Sequence, residues 1–303
     1  MKYLLSMLLV LICFSKSSYS QELSETDKLF ATCKVWGYLK YYHPKVAAGK
    51  FDFDRKLFEL LSQIENSSSK EEFSRTLTDW IITFGKIKSN PKSPNENYFD
   101  KNFNLEWTKN EQCFSPELTE IFKDIENNRH QGKKHYVSAH QTSGYAIMTN
   151  EAEDNDLNWE SKEYRLLCLF RYWNFVEYFF PYKYQTDTDW DSVLMESIPE
   201  FLEAKTETEY HLAILSLVAS VDDSHASFIT KQTFNYFGNK FVPFNTSIIN
   251  GKAIVTELLD EALCEENDIR KVRYLQQRLF QSPFAKLIAV QEVTTLNKNK
   301  QIP

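Results

Sequence analysis

The residues from Asp222 to His225 are the group in this sequence best suited to acid-base chemistry. In the run Val-Asp-Asp-Ser-His-Ala-Ser-Phe, a histidine, two hydroxyls and two carboxylates follow directly after a helical apolar pattern. Histidine is the side chain whose ordinary pKa lets it take up and return a proton near neutral pH. Ser224 directly precedes His225, and a carboxylate just upstream can orient the imidazole and stabilise its charged form. We therefore name His225 as a candidate general base and Ser224 as a candidate assisting residue.

A simpler interpretation of the same run stays open. Asp and Ser side chains commonly cap helices or lie in solvent where a helix stops. A histidine base also needs an activated nucleophile within hydrogen-bond reach. Ser227 would share a face with His225 in an extended segment, but no glycine follows Gly251 to form the tight turn of an oxyanion hole. We therefore predict that this chain lacks the nucleophile.

Three predicted helices near the amino terminus set the pattern for the chain. Their apolar residues recur at helical spacing, and the pair His43-Pro44 ends the first one, because proline disfavours helical geometry in the residue before it. Scarce glycine (seven residues) and abundant aromatic residues (15%) also favour a mainly α fold with an aromatic core. The three helices are predicted over residues 26–42, 54–64 and 70–84.

The same three-helix pattern returns 137 residues later, so that Trp36 aligns with Trp173 and the register continues without a gap through the third helix. Such self-similarity predicts an internal duplication. Only the second copy carries acid-base side chains after its third helix. There, Asp222–His225 takes the place of Gly85–Lys88 in the first copy.

The first twenty residues have the organisation of a secretory signal peptide. Lys2 precedes a short apolar run, and the small residues Ser18 and Ser20 predict a cleavage site before Gln21. The apolar run is too short to span a bilayer. We therefore expect an exported protein, periplasmic or extracellular, whose mature chain does not insert into a membrane.

The charge balance bears on the partners. With 35 basic and 42 acidic residues the formal net charge is −7, whereas a nucleic-acid-binding protein needs a basic face. We therefore expect no nucleic-acid partner. The sequence does not predict an oligomeric state.

Metal and disulfide sites were also considered. Three histidines, His130, His135 and His140, repeat every five residues. With this spacing they do not share one face of a helix or of a strand. Two lysines lie among them. We therefore expect a polar surface loop there, no metal site and no cofactor. The four cysteines beyond the signal peptide are scattered. A disulfide is permitted outside the cytoplasm, but Cys33 and Cys168 lie in apolar helical patterns that favour buried free thiols.

The chain is expected to have four segments. A short strand on each side of Asn250-Gly251 is a strong hairpin signal after the second helical copy. The sequence loses clear periodicity after Leu258. The segments are a signal peptide (1–20), a first helical repeat with an irregular insertion (21–155), a second helical repeat ending in the Ser-His motif (156–235), and a short β segment with an irregular tail (236–303).

Three stretches, 33–45, 169–183 and 222–226, together resemble the N-terminal portion of secreted bacterial serine peptidases of the tail-specific (C-terminal-processing) and tricorn-core family. The resemblance covers roughly residues 25 to 260. In that family a helical region precedes a PDZ-like domain and an α/β catalytic domain. The Ser-His motif favours the tricorn-like branch. This resemblance implies that His225 is the general base of a serine endopeptidase, that Ser224 is its helper, and that the substrate is a peptide or protein.

The chain departs from the family where the PDZ-like region should continue. A hairpin is predicted, but the glycine-containing carboxylate-binding loop and the nucleophile are missing. The fold expected is therefore mainly α, with duplicated three-helix units and an incomplete, hairpin-containing PDZ-like segment (α+β). The function expected is that of an exported serine-peptidase homologue, truncated before its catalytic domain and inactive alone. The alternative is a non-catalytic exported helical module that binds peptides or proteins.

Overall fold

The computed structural model of the chain describes residues 23–89, 98–151, 158–238, 242–249, 252–270 and 274–275. Within these residues, nine α-helices form most of the structure and the strands are confined to two small antiparallel sheets. The expected mainly α fold with a minor β part is therefore confirmed. The predicted signal peptide lies outside the described residues.

The chain divides into two compact units, and each contains one of the three-helix repeats. Unit 1 takes its described residues from 1–100 and 104–152, and unit 2 from 101–103 and 153–303. The short piece 101–103 therefore belongs to unit 2, although it lies between residues of unit 1 in the sequence.

Unit 1 has four helices, and a hydroxyl or carboxylate accepts a backbone N–H at the start of each. These caps satisfy donors that have no partner within the helix. Ser115 caps the fourth helix, and Pro116 is its first residue. The elements are α1 (Glu25–Tyr42), α2 (Phe53–Ile64), α3 (Lys70–Ile82), α4 (Pro116–Asn127) and the antiparallel strands β1 (Val137–Ala139) and β2 (Ala146–Met148).

Unit 2 begins with the second three-helix repeat and ends in a three-stranded antiparallel sheet of order β3-β4-β5. The predicted hairpin is confirmed by the pairing of β3 with β4, in which Ile249 lies opposite Lys252. Its Asn-Gly turn lies outside the described residues. The elements are α5 (Lys162–Phe179), α6 (Trp190–Glu203), α7 (Glu207–Ala219), α8 (Lys231–Phe237), β3 (Phe244–Ile249), β4 (Lys252–Leu258), α9 (Glu261–Glu266) and β5 (Tyr274–Leu275).

The duplication is visible in the bounds and contacts of the helices. α1 and α5, and likewise α3 and α7, begin and end at residues 137 apart. The Trp36 indole donates to the Phe53 carbonyl at 3.4 Å, and the Trp173 indole donates to the Trp190 carbonyl at 2.8 Å. In both units the two rings are stacked, with interplanar angles of 9° and 10°. The same tryptophan contact therefore holds α1 on α2 in unit 1 and α5 on α6 in unit 2.

At one shared position, α1 and α5 bury charged residues of opposite sign. In unit 1, Lys40 pairs with Glu151 at 2.7 Å, and its ammonium lies 4.3 Å from the centre of the Trp36 ring. In unit 2 the corresponding residue is Glu177, which pairs with Lys183 in the loop after α5. A buried charge requires such a partner. The Glu177 pair therefore fixes the loop that forms one wall of the candidate site.

Candidate functional site

The chain leaves α7 through a turn that places the candidate residues. Asp222 has φ of +55°, in the left-handed region that few residues other than glycine adopt. The corresponding residue in unit 1 is Gly85, with φ of +83°. An aspartate tolerates this conformation better than most side chains, and here its Oδ2 accepts the Asp187 N–H at 2.8 Å. The turn is therefore tied to the loop that follows α5.

His225 is held by Asp223 through two hydrogen bonds to one carboxylate oxygen. The His225 backbone N–H lies 2.8 Å from Asp223 Oδ1, and ring Nδ1 lies 2.9 Å from the same atom. The backbone bond and then the ring bond lower the pKa of the Asp223 carboxyl, so it remains an acceptor at neutral pH. Since a carboxylate cannot donate, the bond assigns the proton of the neutral ring to Nδ1. Nε2 then carries the lone pair that a general base needs.

The pair lies at a cleft in unit 2 with a volume of about 390 Å³, within the range of small-ligand and side-chain pockets. One wall comes from the loop after α5, including Tyr182, whose side chain is 56% exposed. The other wall is the turn after α7. The lining residues are Phe180, Tyr182, Gln185, Thr186, Val221, Asp222, Asp223, Ser224 and His225.

A residue from a distant part of the sequence fixes the first wall. The Asn102 side chain donates to the Phe180 carbonyl at 3.1 Å and accepts the Tyr184 N–H at 3.1 Å. Both partners lie in the loop that carries Tyr182. Together with the pair between Lys183 and Glu177, these bonds hold the loop at both of its ends. These contacts therefore hold this wall of the cleft in a fixed position.

Tyr172 is a half-buried tyrosine that lies close enough to Asp223 to be affected by its charge. Burial and then the charge of Asp223 raise the pKa of Tyr172 to about 12. Tyr172 thus keeps its hydroxyl proton throughout the physiological range and does not compete with His225 for proton transfer. Because Tyr172 lies on α5, Asp223 lies beside that helix.

The candidate assistant and the nucleophile remain unassigned. The Ser224 side chain lines the cleft, and among the described residues its hydroxyl has no hydrogen-bond partner. The His225 side chain is 95% exposed, and no hydroxyl or thiol of the described residues bonds its Nε2, that of Ser227 included. The assisting role of Ser224 therefore stays a prediction. The part of the chain that the structure describes presents an oriented base with no nucleophile bonded to it.

The three evenly spaced histidines lie in unit 1 and do not converge. His130 Nε2 lies 3.1 Å from the Lys133 carbonyl, and the His140 ring stacks on Tyr145 with centroids 4.6 Å apart. Across the described ranges, no group of three or more His, Cys, Asp or Glu side chains has the arrangement of a metal site. In the same ranges, the four cysteines are free thiols: Cys33, Cys113, Cys168 and Cys264.

Sequence reasoning identified the pair of Asp and His but missed most of the cleft. Tyr172, Asn102 and Asp187 were not among the candidates, because each reaches the site from another element. The sequence contains one difference that could have pointed to this wall of the cleft: Phe180 stands where the first copy has His43.

Among the described residues, no helix is both long and apolar enough to cross a membrane.

Comparisons with known proteins add no relative to this description. No family model matches the chain, and no curated protein or solved structure is significantly similar to it. The functional argument therefore depends on the Asp223–His225 pair and its cleft.

Proposed function

We propose that the chain is the N-terminal region of an exported serine-type peptidase homologue, in which unit 2 carries the acid-base part of the active site. The observation that supports this most is the carboxylate of Asp223 on Nδ1 of His225, at the edge of a cleft. In serine peptidases a histidine takes the proton of the serine hydroxyl and returns it to the leaving amine. His225 has the arrangement for this role.

Each residue has a definite part in this proposal. Asp223 holds the imidazole in one tautomer and stabilises the imidazolium that forms when Nε2 takes a proton. Ser224 is the proposed assisting hydroxyl. The serine nucleophile and the donors for the oxyanion come from outside the described residues, and the substrate is a peptide or protein. The chain alone is therefore expected to hydrolyse no peptide bond.

Labelling with a fluorophosphonate probe tests the missing nucleophile. We expect no labelling of the purified chain, because these probes need a serine activated by a base and an oxyanion site. In-gel fluorescence measures the reaction, with an active serine peptidase as the positive reference. Labelling that disappears in His225→Ala and persists in His140→Ala would contradict this expectation and place the nucleophile within the 303 residues.

The coding sequence after Pro303 tests the peptidase proposal itself. A continuing frame that encodes a serine in a glycine-bearing turn, and whose product is labelled only when His225 is intact, would support it. The absence of such a frame, or a longer product that is neither labelled nor active on peptides, would contradict it.

The second candidate function is a non-catalytic exported helical module that binds peptides or proteins. The exposure of the His225 ring, with no nucleophile bonded to it among the described residues, favours this alternative. The two functions differ in what His225 does. A binding module keeps its function in His225→Gln, whereas a peptidase loses hydrolysis.

A further inference from the structure

In unit 1, another segment of the chain covers the loop 43–50, which follows α1. The segment 129–136 lies on the loop 43–50, where the His130 N–H donates to the Tyr42 carbonyl at 2.9 Å and the His135 N–H donates to the Ala47 carbonyl at 3.1 Å. The His135 ring comes so close to Gly49 that a Cβ atom there would lie 2.3 Å from it. A non-helical segment of the chain therefore covers this surface in unit 1.

The corresponding loop of unit 2 is one wall of the cleft. The bond from the Gly49 N–H to the Val46 carbonyl in unit 1 (2.8 Å) has its counterpart between Thr186 and Lys183 (3.2 Å). The loops thus share this turn, but in unit 2 it borders an open space of about 390 Å³. Thr186 has φ of −66°, whereas Gly49 has φ of +70°, so the two loops differ in backbone conformation at this residue.

The lining of the cleft sets the charge of its occupant. It includes two carboxylates, Asp222 and Asp223, and no lysine or arginine. One oxygen of each carboxylate is used, by the Asp187 N–H and by His225, and the second has no hydrogen-bond partner among the described residues. The exposed face of Tyr182 is also suited to a cation.

We propose that the cleft of unit 2 binds a peptide segment that carries a lysine or arginine side chain. Asn102 already contacts the loop 180–187 at Phe180 and Tyr184. The peptide therefore lies on the side of the loop that lines the cleft, at Tyr182, Gln185 and Thr186. Its cationic group contacts Asp222 and Asp223, and its aliphatic stem packs on Tyr182. This inference deepens the proposed function, because it names the substrate class of the same site.

Fluorescence anisotropy with matched peptides tests the inference. The probes are three fluorescein-labelled ten-residue peptides of Gly, Ser and Ala that differ at one central position, which is Lys, Gln or Glu. The Lys peptide is expected to bind best. Asp222→Asn is expected to weaken its binding about two- to fivefold, the range of a partly exposed ion pair, and to leave the Gln peptide unchanged. Asparagine is a suitable replacement because it tolerates positive φ and still accepts the Asp187 N–H.

The control variant is Glu203→Gln, which removes an exposed charge from the end of α6. It should leave the affinity of all three peptides unchanged. Equal binding of the Lys and Gln peptides, an Asp222→Asn variant that binds like the parent, or no binding of any peptide would overturn the inference.

The two proposals fail separately. A protein that binds the Lys peptide but whose longer product never hydrolyses one contradicts the peptidase proposal alone. Hydrolysis that depends on His225 but shows no preference for Lys contradicts the basic-peptide inference alone.

Discussion

Replacing Arg165 with methionine is expected to lower the free energy of unfolding of unit 2 by about 3–5 kcal/mol. The guanidinium is buried and donates to four backbone carbonyls: Phe201 at 2.6 Å, Leu202 at 2.9 Å, Trp159 at 2.8 Å and Glu160 at 3.0 Å. Two of these carbonyls end α6 and two precede α5. Methionine fills much of the same volume but leaves all four without their charged donor.

The duplication supplies the matched control. Lys28 is the residue of unit 1 that corresponds to Arg165, and it donates to only two carbonyls, Glu65 at 3.2 Å and Ser67 at 3.1 Å. Lys28→Met should therefore destabilise unit 1 by roughly half as much, and Arg165→Lys should fall between the parent and Arg165→Met. Amide hydrogen exchange measured by mass spectrometry assigns each loss to its unit. A loss below about 1 kcal/mol for Arg165→Met would show that water replaces the guanidinium.

Unit 1 is expected to lose about 3 kcal/mol of unfolding free energy between pH 7 and pH 4 because of His43 alone. Burial and then the nearby Lys45 charge lower the pKa of His43 from 6.5 to about 4. Nδ1 accepts the Lys45 and Val46 N–H groups. Nε2, its proton-bearing nitrogen, is buried and has no hydrogen-bond partner within the described ranges.

The sign follows from which state takes up the proton. Well above pH 6.5 the ring is neutral in both the folded and the unfolded chain, so its contribution is constant there. As the pH falls toward 4, the unfolded chain binds a proton that the folded chain does not, and stability decreases. His43→Asn keeps an acceptor for the two N–H groups but does not titrate in this range.

Urea unfolding of the parent, His43→Asn and the control His140→Asn at pH 7, 5.5 and 4 measures this effect. Other acidic groups lower stability equally in all three proteins, so the difference between variants isolates His43. The His140 variant should follow the parent, whereas His43→Asn should lose about 3 kcal/mol less by pH 4. Parallel curves for all three proteins would contradict the assignment.

The sequence predicted those parts of the fold that have local signals. Helical spacing and the proline after His43 gave the helix bounds to within one or two residues, as for α1 and α3. The alignment of Trp36 with Trp173 gave the duplication. The adjacency of Asp223 and His225 gave the candidate pair, because two residues of separation suffice for a side chain to meet its neighbour's ring.

The rest of the site depends on contacts that have no local signal. Asn102 reaches Tyr184 across 82 residues, and nothing around Asn102 distinguishes it from an ordinary loop residue. The short helix α8 was missed because seven residues are too few for a clear period. The open cleft could not be predicted, since it depends on whether another segment covers the loop.

The duplication also gives the site its physical context. Both units keep a left-handed residue after the third helix, and unit 1 uses Gly85 while unit 2 uses Asp222. A carboxylate at such a position is less favourable for the backbone than glycine. Its bond to the Asp187 N–H and its place in the cleft offset that cost. Strain at this position is consistent with a functional role for the turn.

The tautomer of His225 tests the central claim most directly. Long-range proton–nitrogen NMR at a pH where the ring is neutral distinguishes a protonated Nδ1 from a protonated Nε2. We predict a protonated Nδ1 and an unprotonated Nε2 in the parent, and loss of this preference in Asp223→Ala. His130, whose Nε2 donates to the Lys133 carbonyl, is an internal reference for the opposite tautomer. A protonated Nε2 in the parent, or the same tautomer mixture with and without Asp223, would contradict the claim that this pair is an oriented base.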